Sequence, residues 1–155
     1  MMEPIRFENA ECIVEYGPGT GSFTRELLKR KRPDTKLVLI EQNDTFCKLI
    51  RRQCAGQPNV TVIHGSAEHA DVLLRRRGIK RVDYVVSGLP FTSLPKEVSV
   101  RIFLATRRIL GKQGRFITFQ YTLVKQRFFR KYFHFTDRLF ELRNLPPAYV
   151  FVLRR

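Results

Sequence analysis

Short apolar runs alternate along the chain with segments in which apolar residues return every three or four positions. The runs at 12–16, 36–41, 59–64, 82–87 and 115–121 predict strands, mostly apolar throughout, as strands covered on both faces are. The segments between them predict helices. One starts at Ser22 with Phe23, Leu27 and Leu28 on its buried face, and it stops in Lys29-Arg30-Lys31-Arg32 before Pro33. The next is capped by Asn43 or Asp44, with Phe46, Leu49 and Ile50 as its buried stripe. A weakly patterned helix follows Gly65-Ser66-Ala67-Glu68 and ends in Arg75-Arg76-Arg77-Gly78. Pro95 opens a helix carrying Val98, Ile102, Ala105 and Ile109, and Gly111 and Gly114 frame its exit. Residues 138–143 and 148–153 read as two further strands, joined by a turn at Asn144-Leu145-Pro146-Pro147. Residues 1–10 show no pattern that predicts a core element. Five β-α steps and a closing hairpin predict an α/β fold: a doubly wound, mostly parallel sheet with helices on both faces and one antiparallel strand.

The first strand ends in Glu15-Tyr16-Gly17-Pro18-Gly19-Thr20-Gly21 and passes at once into a helix. Alternating glycines at such a point allow positive φ and let a ligand approach the backbone, since a Cβ would obstruct both. The spacing is G-x-G-x-G, not the G-x-G-x-x-G of dinucleotide loops, and a carboxylate stands just before it. Glu15 would repel a pyrophosphate and attract the ammonium of an amino-acid moiety. Glu41 ends the second strand about twenty residues on, where a carboxylate can accept both hydroxyls of an adenosine ribose. Glu15, Glu41, Ser66 and Ser87 all fall at carboxyl ends of strands, where open α/β sheets bind ligands.

Composition narrows the classes. The 155 residues suit one domain, and 43% hydrophobic content is that of a globular chain. No apolar run is long enough for a transmembrane span or a secretory segment, which predicts a cytoplasmic protein. Cys12, Cys47 and Cys54 have neither metal-ligand nor disulfide spacing, and His64, His69 and His134 have no metal spacing. No metal is expected. The formal charge of +15 and pI near 10.5 imply an anionic partner, either nucleic acid or an acidic membrane surface.

The order Glu15-x-Gly17-x-Gly19-x-Gly21, with Glu41 behind it, resembles motif I of the S-adenosylmethionine (AdoMet) dependent methyltransferases built on a seven-stranded sheet. The resemblance implies a Rossmann-like sheet in the order 3-2-1-4-5-7-6. It also implies AdoMet as cofactor, held by Glu15, Gly17, Gly19, Thr20, Gly21, Glu41, Gln42, Ser66, Ala67 and Ser87. The family usually has an acidic residue on the adenine where this chain has Ser66-Ala67, leaving Ser66 or Glu68 to take that place. Members also carry helical residues ahead of the glycine motif. Met1-Met2-Glu3-Pro4-Ile5 resembles the tail of such a segment, so residues 1–155 are expected to form a single methyltransferase domain without its N-terminal lid helices.

The loop after the fourth strand bears on the acceptor. Adenine-N6 methyltransferases, among them the ribosomal RNA adenine dimethyltransferases, carry a polar residue, an apolar residue, proline and an aromatic ring there. The matching window here is Gly88-Leu89-Pro90-Phe91, whose first position has no side chain. The longer run from Ser87 to Pro95 is similar to the S-x-L-P-x-x-S-x-P loop of bacterial phospholipid N-methyltransferases, which methylate phosphatidylethanolamine. Phe119-Gln120-Tyr121 and Asn144-Leu145-Pro146-Pro147 agree with that family. The resemblance implies catalytic roles for Tyr121, Ser87, Leu89 and Pro90, and substrate contacts from Phe91, Tyr121, Lys125, Arg127 and Arg130. From 124 to 135 charge and rings interleave, which suits docking on anionic lipid, stacking of single-stranded bases, or rings buried in the fold. The expected partners are a phospholipid substrate and an anionic membrane surface on the inner face of the membrane. RNA is the alternative, either as an adenine substrate or as the ligand of a non-catalytic AdoMet-binding module.

Overall fold

The protein is described by a computed structural model covering residues 2–142 and 148–155. Strands β1 (Cys12–Tyr16), β2 (Lys36–Glu41), β3 (Val60–His64), β4 (Val82–Ser87) and β5 (Leu110–Gln120) are parallel. β6 (His134–Glu141) and β7 (Ala148–Arg154) complete a seven-stranded sheet in the order β3-β2-β1-β4-β5-β7-β6, with β7 antiparallel to both neighbours. The predicted order is therefore observed. Arg143 and the expected turn at Asn144-Leu145-Pro146-Pro147 lie outside the described residues.

Successive side chains of a strand point to opposite faces, so each central strand feeds two cores. On one face Ile13, Leu39, Val86 and Ile117 meet Leu27 of α1 (Ser22–Arg30) and Ile50 of α2 (Asp44–Gln53). On the other, Val14, Val38, Val85 and Phe116 meet Leu74 of α3 (Ala70–Arg75), Phe103 of α4 (Lys96–Ile109) and Phe129 of α5 (Gln126–Arg130).

Two expectations are corrected, and a choice left open is decided. The opening segment does join the core: Met2, Ile5, Phe7 and Ala10 are buried against the α1–α2 face, and residues 7–9 form a 3-10 turn. Four apolar residues at irregular spacing carry no periodic signal, yet each finds a gap at the sheet. In α2 the buried positions are Cys47 and Ile50, with Phe46 37% exposed. The Asn43 side chain accepts the Phe46 N–H at 3.0 Å, and this cap sets the phase that turns Phe46 outward. Finally, the rings of 124–135 turn inward. Phe129 and Phe133 are buried, and Phe128, Tyr132 and Phe135 pack half-buried against the same cluster. Phe103 is its hub, with ring centroids 4.8 Å from Phe129 and 5.5 Å from Phe133. Among the described residues no helix is long and apolar enough to cross a membrane.

Candidate cofactor and acceptor site

The β1–α1 turn needs its glycines. Gly17, Gly19 and Gly21 have φ of +62°, +57° and +91°, which β-carbon residues adopt at a cost. Gly21 has no room either, since a Cβ there would lie 2.2 Å from the Gln53 side-chain oxygen and 3.0 Å from Ile50. Gly19 is the opposite case: a Cβ would meet nothing nearer than the Gly17 carbonyl oxygen at 4.0 Å. Its backbone therefore faces open space.

Two carboxylates flank this loop. Glu41 is only 6% exposed and accepts the Gly19 N–H through Oε2 and the Asn43 N–H through Oε1, both at 2.9 Å. It ties the glycine loop to the start of α2. Glu15 is fully buried; the Thr24 hydroxyl donates to its Oε2 at 2.7 Å, and its Oε1 has no partner among the described residues. Burial pushes the Glu15 carboxyl up to about 7; the Thr24 hydrogen bond opposes the rise and the negative charge of Glu41 adds to it.

Beyond Glu41 a cavity of about 60 Å³ is lined by Gly17, Gln42, Ser66, Ala67, Leu89 and Leu94, among others. Gln42 is exposed and its carbonyl lies 3.0 Å from His64 Nε2. Ala67 is buried, while the Ser66 hydroxyl is held within its own turn, accepting from the Glu68 N–H and donating to the Glu68 carboxylate. Glu68 is in turn bridged to Arg101 at 2.8 Å, so both oxygens of its carboxylate already have partners, one in Ser66 and one in Arg101.

The residues fit the AdoMet expected here. The open backbone at Gly19 would carry its amino-acid end, the unpartnered Glu15 oxygen would accept its ammonium, and Glu41 would take its ribose. The cavity itself is narrow compared with the ~300 Å³ or more of ordinary ligand sites. Leu89 limits it, lying so close over Gly17 that a Cβ there would be 2.6 Å from Leu89 Cδ2. Admission of a nucleoside requires this side chain to withdraw.

On the acceptor side, Ser87 is fully buried and its hydroxyl accepts the Leu89 N–H at 3.1 Å, which shapes the loop. Gln120 donates to the Leu89 carbonyl at 3.3 Å and anchors that loop to the end of β5. Pro90 is exposed. Phe91, expected on the substrate, is fully buried, with its ring 5.1 Å from Phe103 and 5.4 Å from Phe129. This is a correction: a ring that stacks on an acceptor must be reachable, and this one fills the core because the chain turns inward after Pro90. Tyr121 is 58% exposed and packs edge-on against Phe119, which packs on Phe23, which lies under Gly88. A continuous aromatic wall thus joins Tyr121 to the Ser87–Pro90 loop. Arg127 and Arg130 face outward, and Lys125 and Arg130 lie over the rings of Phe128 and Phe135.

Thr24, Phe23 and Gln120 are the residues whose roles sequence reading missed. The helical period of α1 places Thr24 one turn before Leu27 and Leu28, on the side facing the sheet, which is the signal that could have found it.

Comparison with known proteins agrees with this geometry. The family model described as ribosomal RNA adenine dimethylase matches residues 2–138. An ornithine lipid N-methyltransferase of Singulisphaera acidiphila is 38% identical over 97% of this chain and 79% of its own length. Ribosomal RNA small subunit methyltransferase A of Phenylobacterium zucineum is 29% identical over 54% of this chain and 27% of its own. Among solved structures, Aeropyrum pernix fibrillarin with natively bound S-adenosyl-L-methionine superposes with a TM-score of 0.74 at 12% identity, covering 93% of this chain and 66% of that one. The seven-stranded order is that of the AdoMet-dependent methyltransferases, and the chain is one of them, belonging to the ribosomal RNA adenine dimethylase family.

Proposed function

We propose that the enzyme N-methylates the amine of a membrane lipid, either an ornithine lipid or phosphatidylethanolamine, as a peripheral protein on the inner face of the membrane. The observation that carries this reading is the 38% identity to an ornithine lipid N-methyltransferase across 97% of the chain. Two features of the site support it. Gly88 provides no side chain at the position from which adenine chemistry grips its target amine. Around the same edge of the sheet, Tyr121, Val124 and Leu142 are 58%, 79% and 71% exposed, an apolar lip that suits an acyl-chain and headgroup boundary.

When bound, AdoMet supplies a methyl group on a sulfonium, which a neutral amine can accept without a strong base at hand. The protein's part is to hold and to dry the site. In this reading the backbone at 17–21, Glu15 and Glu41 hold the cofactor, with Thr20, Gln42, Ser66 and Ala67 around it. Ser87, Leu89 and Pro90 form the loop between cofactor and acceptor, and Leu89 excludes water. Tyr121 meets the amine, by its hydroxyl or by attraction of a methylated ammonium to its ring. Lys125, Arg127 and Arg130 meet lipid phosphates.

Methylation of ribosomal RNA adenine is the second reading, favoured by the family match over 2–138. Radiolabelled AdoMet offered side by side to vesicles of each amino lipid and to ribosomal RNA decides between them. Label in either lipid, with RNA unlabelled, is the expected result. Label in RNA adenine alone overturns the lipid reading and gives Ser87, one position before the expected window, the role of adenine-positioning residue.

A further inference from the structure

Two side chains reach the glycine loop from the ends of α2. Glu41, just ahead of the helix, accepts the Gly19 N–H together with the N–H of Asn43, the residue that caps α2. Gln53, the last residue of the helix, donates from Nε2 to the Thr20 carbonyl at 3.0 Å. The loop they meet has little shape of its own. Glycines at positive φ stand at 17, 19 and 21, and glycine gives up more conformational freedom on folding than any other residue. Its form therefore depends on what grips it.

Gln53 makes its bond under an unfavourable condition. Its Oε1 is buried with no partner among the described residues. That oxygen lies over Gly21, 2.2 Å from where a Cβ would be. Turning the amide round would aim an acceptor at the Thr20 carbonyl, so the unpaired oxygen is relieved only by giving up the bond. A residue serving as packing alone would be apolar, as Ile50 is, three positions earlier on the same helix face and fully buried against the same glycine. Arg25 also donates to the Thr20 carbonyl, at 3.2 Å, but it is exposed and belongs to α1, the helix that the loop itself begins. Among the described residues Gln53 is what ties Thr20 to a second element.

We propose that Gln53 is a positioning residue of the cofactor site. Acting through the Thr20 carbonyl, it keeps the backbone at 19–21 in the form that receives the amino-acid end of AdoMet. This holds on the reading that places that end on the loop and the ribose on Glu41. Gln53 does not line the cavity beyond Glu41, so its influence stops short of the nucleoside. Loss of the amide should therefore weaken the hold on one part of the ligand and spare the rest.

Calorimetry with S-adenosylhomocysteine and with 5′-methylthioadenosine, which has the same nucleoside and no amino-acid end, tests the proposal. The parent is compared with Gln53→Met, similar in length but unable to donate, with Gln53→Ala, and with Glu41→Ala. Both Gln53 variants should bind S-adenosylhomocysteine about fivefold more weakly, the loss of one hydrogen bond of ordinary strength, and 5′-methylthioadenosine within about twofold of the parent. Glu41→Ala should weaken both ligands. Thermal midpoints report folding, and that of Gln53→Met should not fall, since the unpaired oxygen leaves with the amide. A residue that merely supports the fold would weaken both ligands together as the midpoint falls. That result overturns the proposal, as does full S-adenosylhomocysteine affinity in the Gln53 variants while Glu41→Ala weakens both ligands. Affinities unchanged in Glu41→Ala as well would place the cofactor elsewhere and overturn the site reading together with this inference.

Discussion

Glu15 is the residue whose environment most constrains the site, because one of its oxygens is buried without a partner. Burial raises its pKa from an ordinary 4.5 to about 7, so between those values the folded chain holds a proton that the unfolded chain has lost. Stability from this group is fully present below about 4.5 and is lost as pH rises through about 7. Glu15→Gln removes the dependence. The thermal midpoint of the variant should therefore gain on that of the parent between about pH 5 and about pH 8, and parallel curves would show that Glu15 is ionised throughout. Glu41 already receives two N–H groups, and on the proposed reading it would turn to a ribose. Glu41→Ala should weaken AdoMet by about 2–4 kcal/mol in calorimetry, the cost of losing a pair of charge-assisted hydrogen bonds. Unchanged affinity would place the cofactor elsewhere.

At the scale of elements, α4, α5 and the loop after β4 form one packing unit. Phe103 touches the rings of Phe91, Phe116, Phe129 and Phe133, which come from the loop after β4, from β5, from α5 and from the segment that follows α5. Truncating such a ring leaves a cavity that neighbours fill only in part. Phe103→Ala should cost about 3–5 kcal/mol in denaturant unfolding. Because Phe91 anchors the loop that carries Leu89, the variant should also lose AdoMet affinity in solution conditions where it remains folded. A loss of stability with full affinity would mean that the loop is held by Gln120 and Ser87 alone.

On the scale of the whole molecule, Tyr121, Val124, Phe140 and Leu142 are exposed together at the carboxyl edge of the sheet, beside the site. The chain has no tryptophan, so Val124→Trp provides a single reporter at the apolar lip. Its emission should shift to the blue when vesicles containing anionic and amino lipids are added, and the shift should weaken as salt screens the attraction. Emission that stays at its value in buffer would mean that the lip remains in water and that the lipid reaches the site by another route.

Local chemistry was enough to read the strand, glycine loop and helix around Glu15, the second strand ending in Glu41, and the five β-α steps. Each rests on spacing within a few residues: positive-φ glycines, apolar runs and helix stops act through the backbone next to them. The seven-stranded order came with the family resemblance those motifs carry, and it is the order observed. Tertiary structure decided what depends on distant partners. Phe91 and the phenylalanines of 124–135 carry the same ring whether they face water or the core, and only packing around Phe103 turns them inward. Thr24 meets Glu15 because α1 folds back over β1, and Gln120 meets Leu89 because β5 lies beside β4. The net charge of +15 is legible in the composition. Which of those charges become neighbours is decided by the fold, which brings Arg75 and Arg108, in the last turns of α3 and α4, beside Lys80 of the loop before β4.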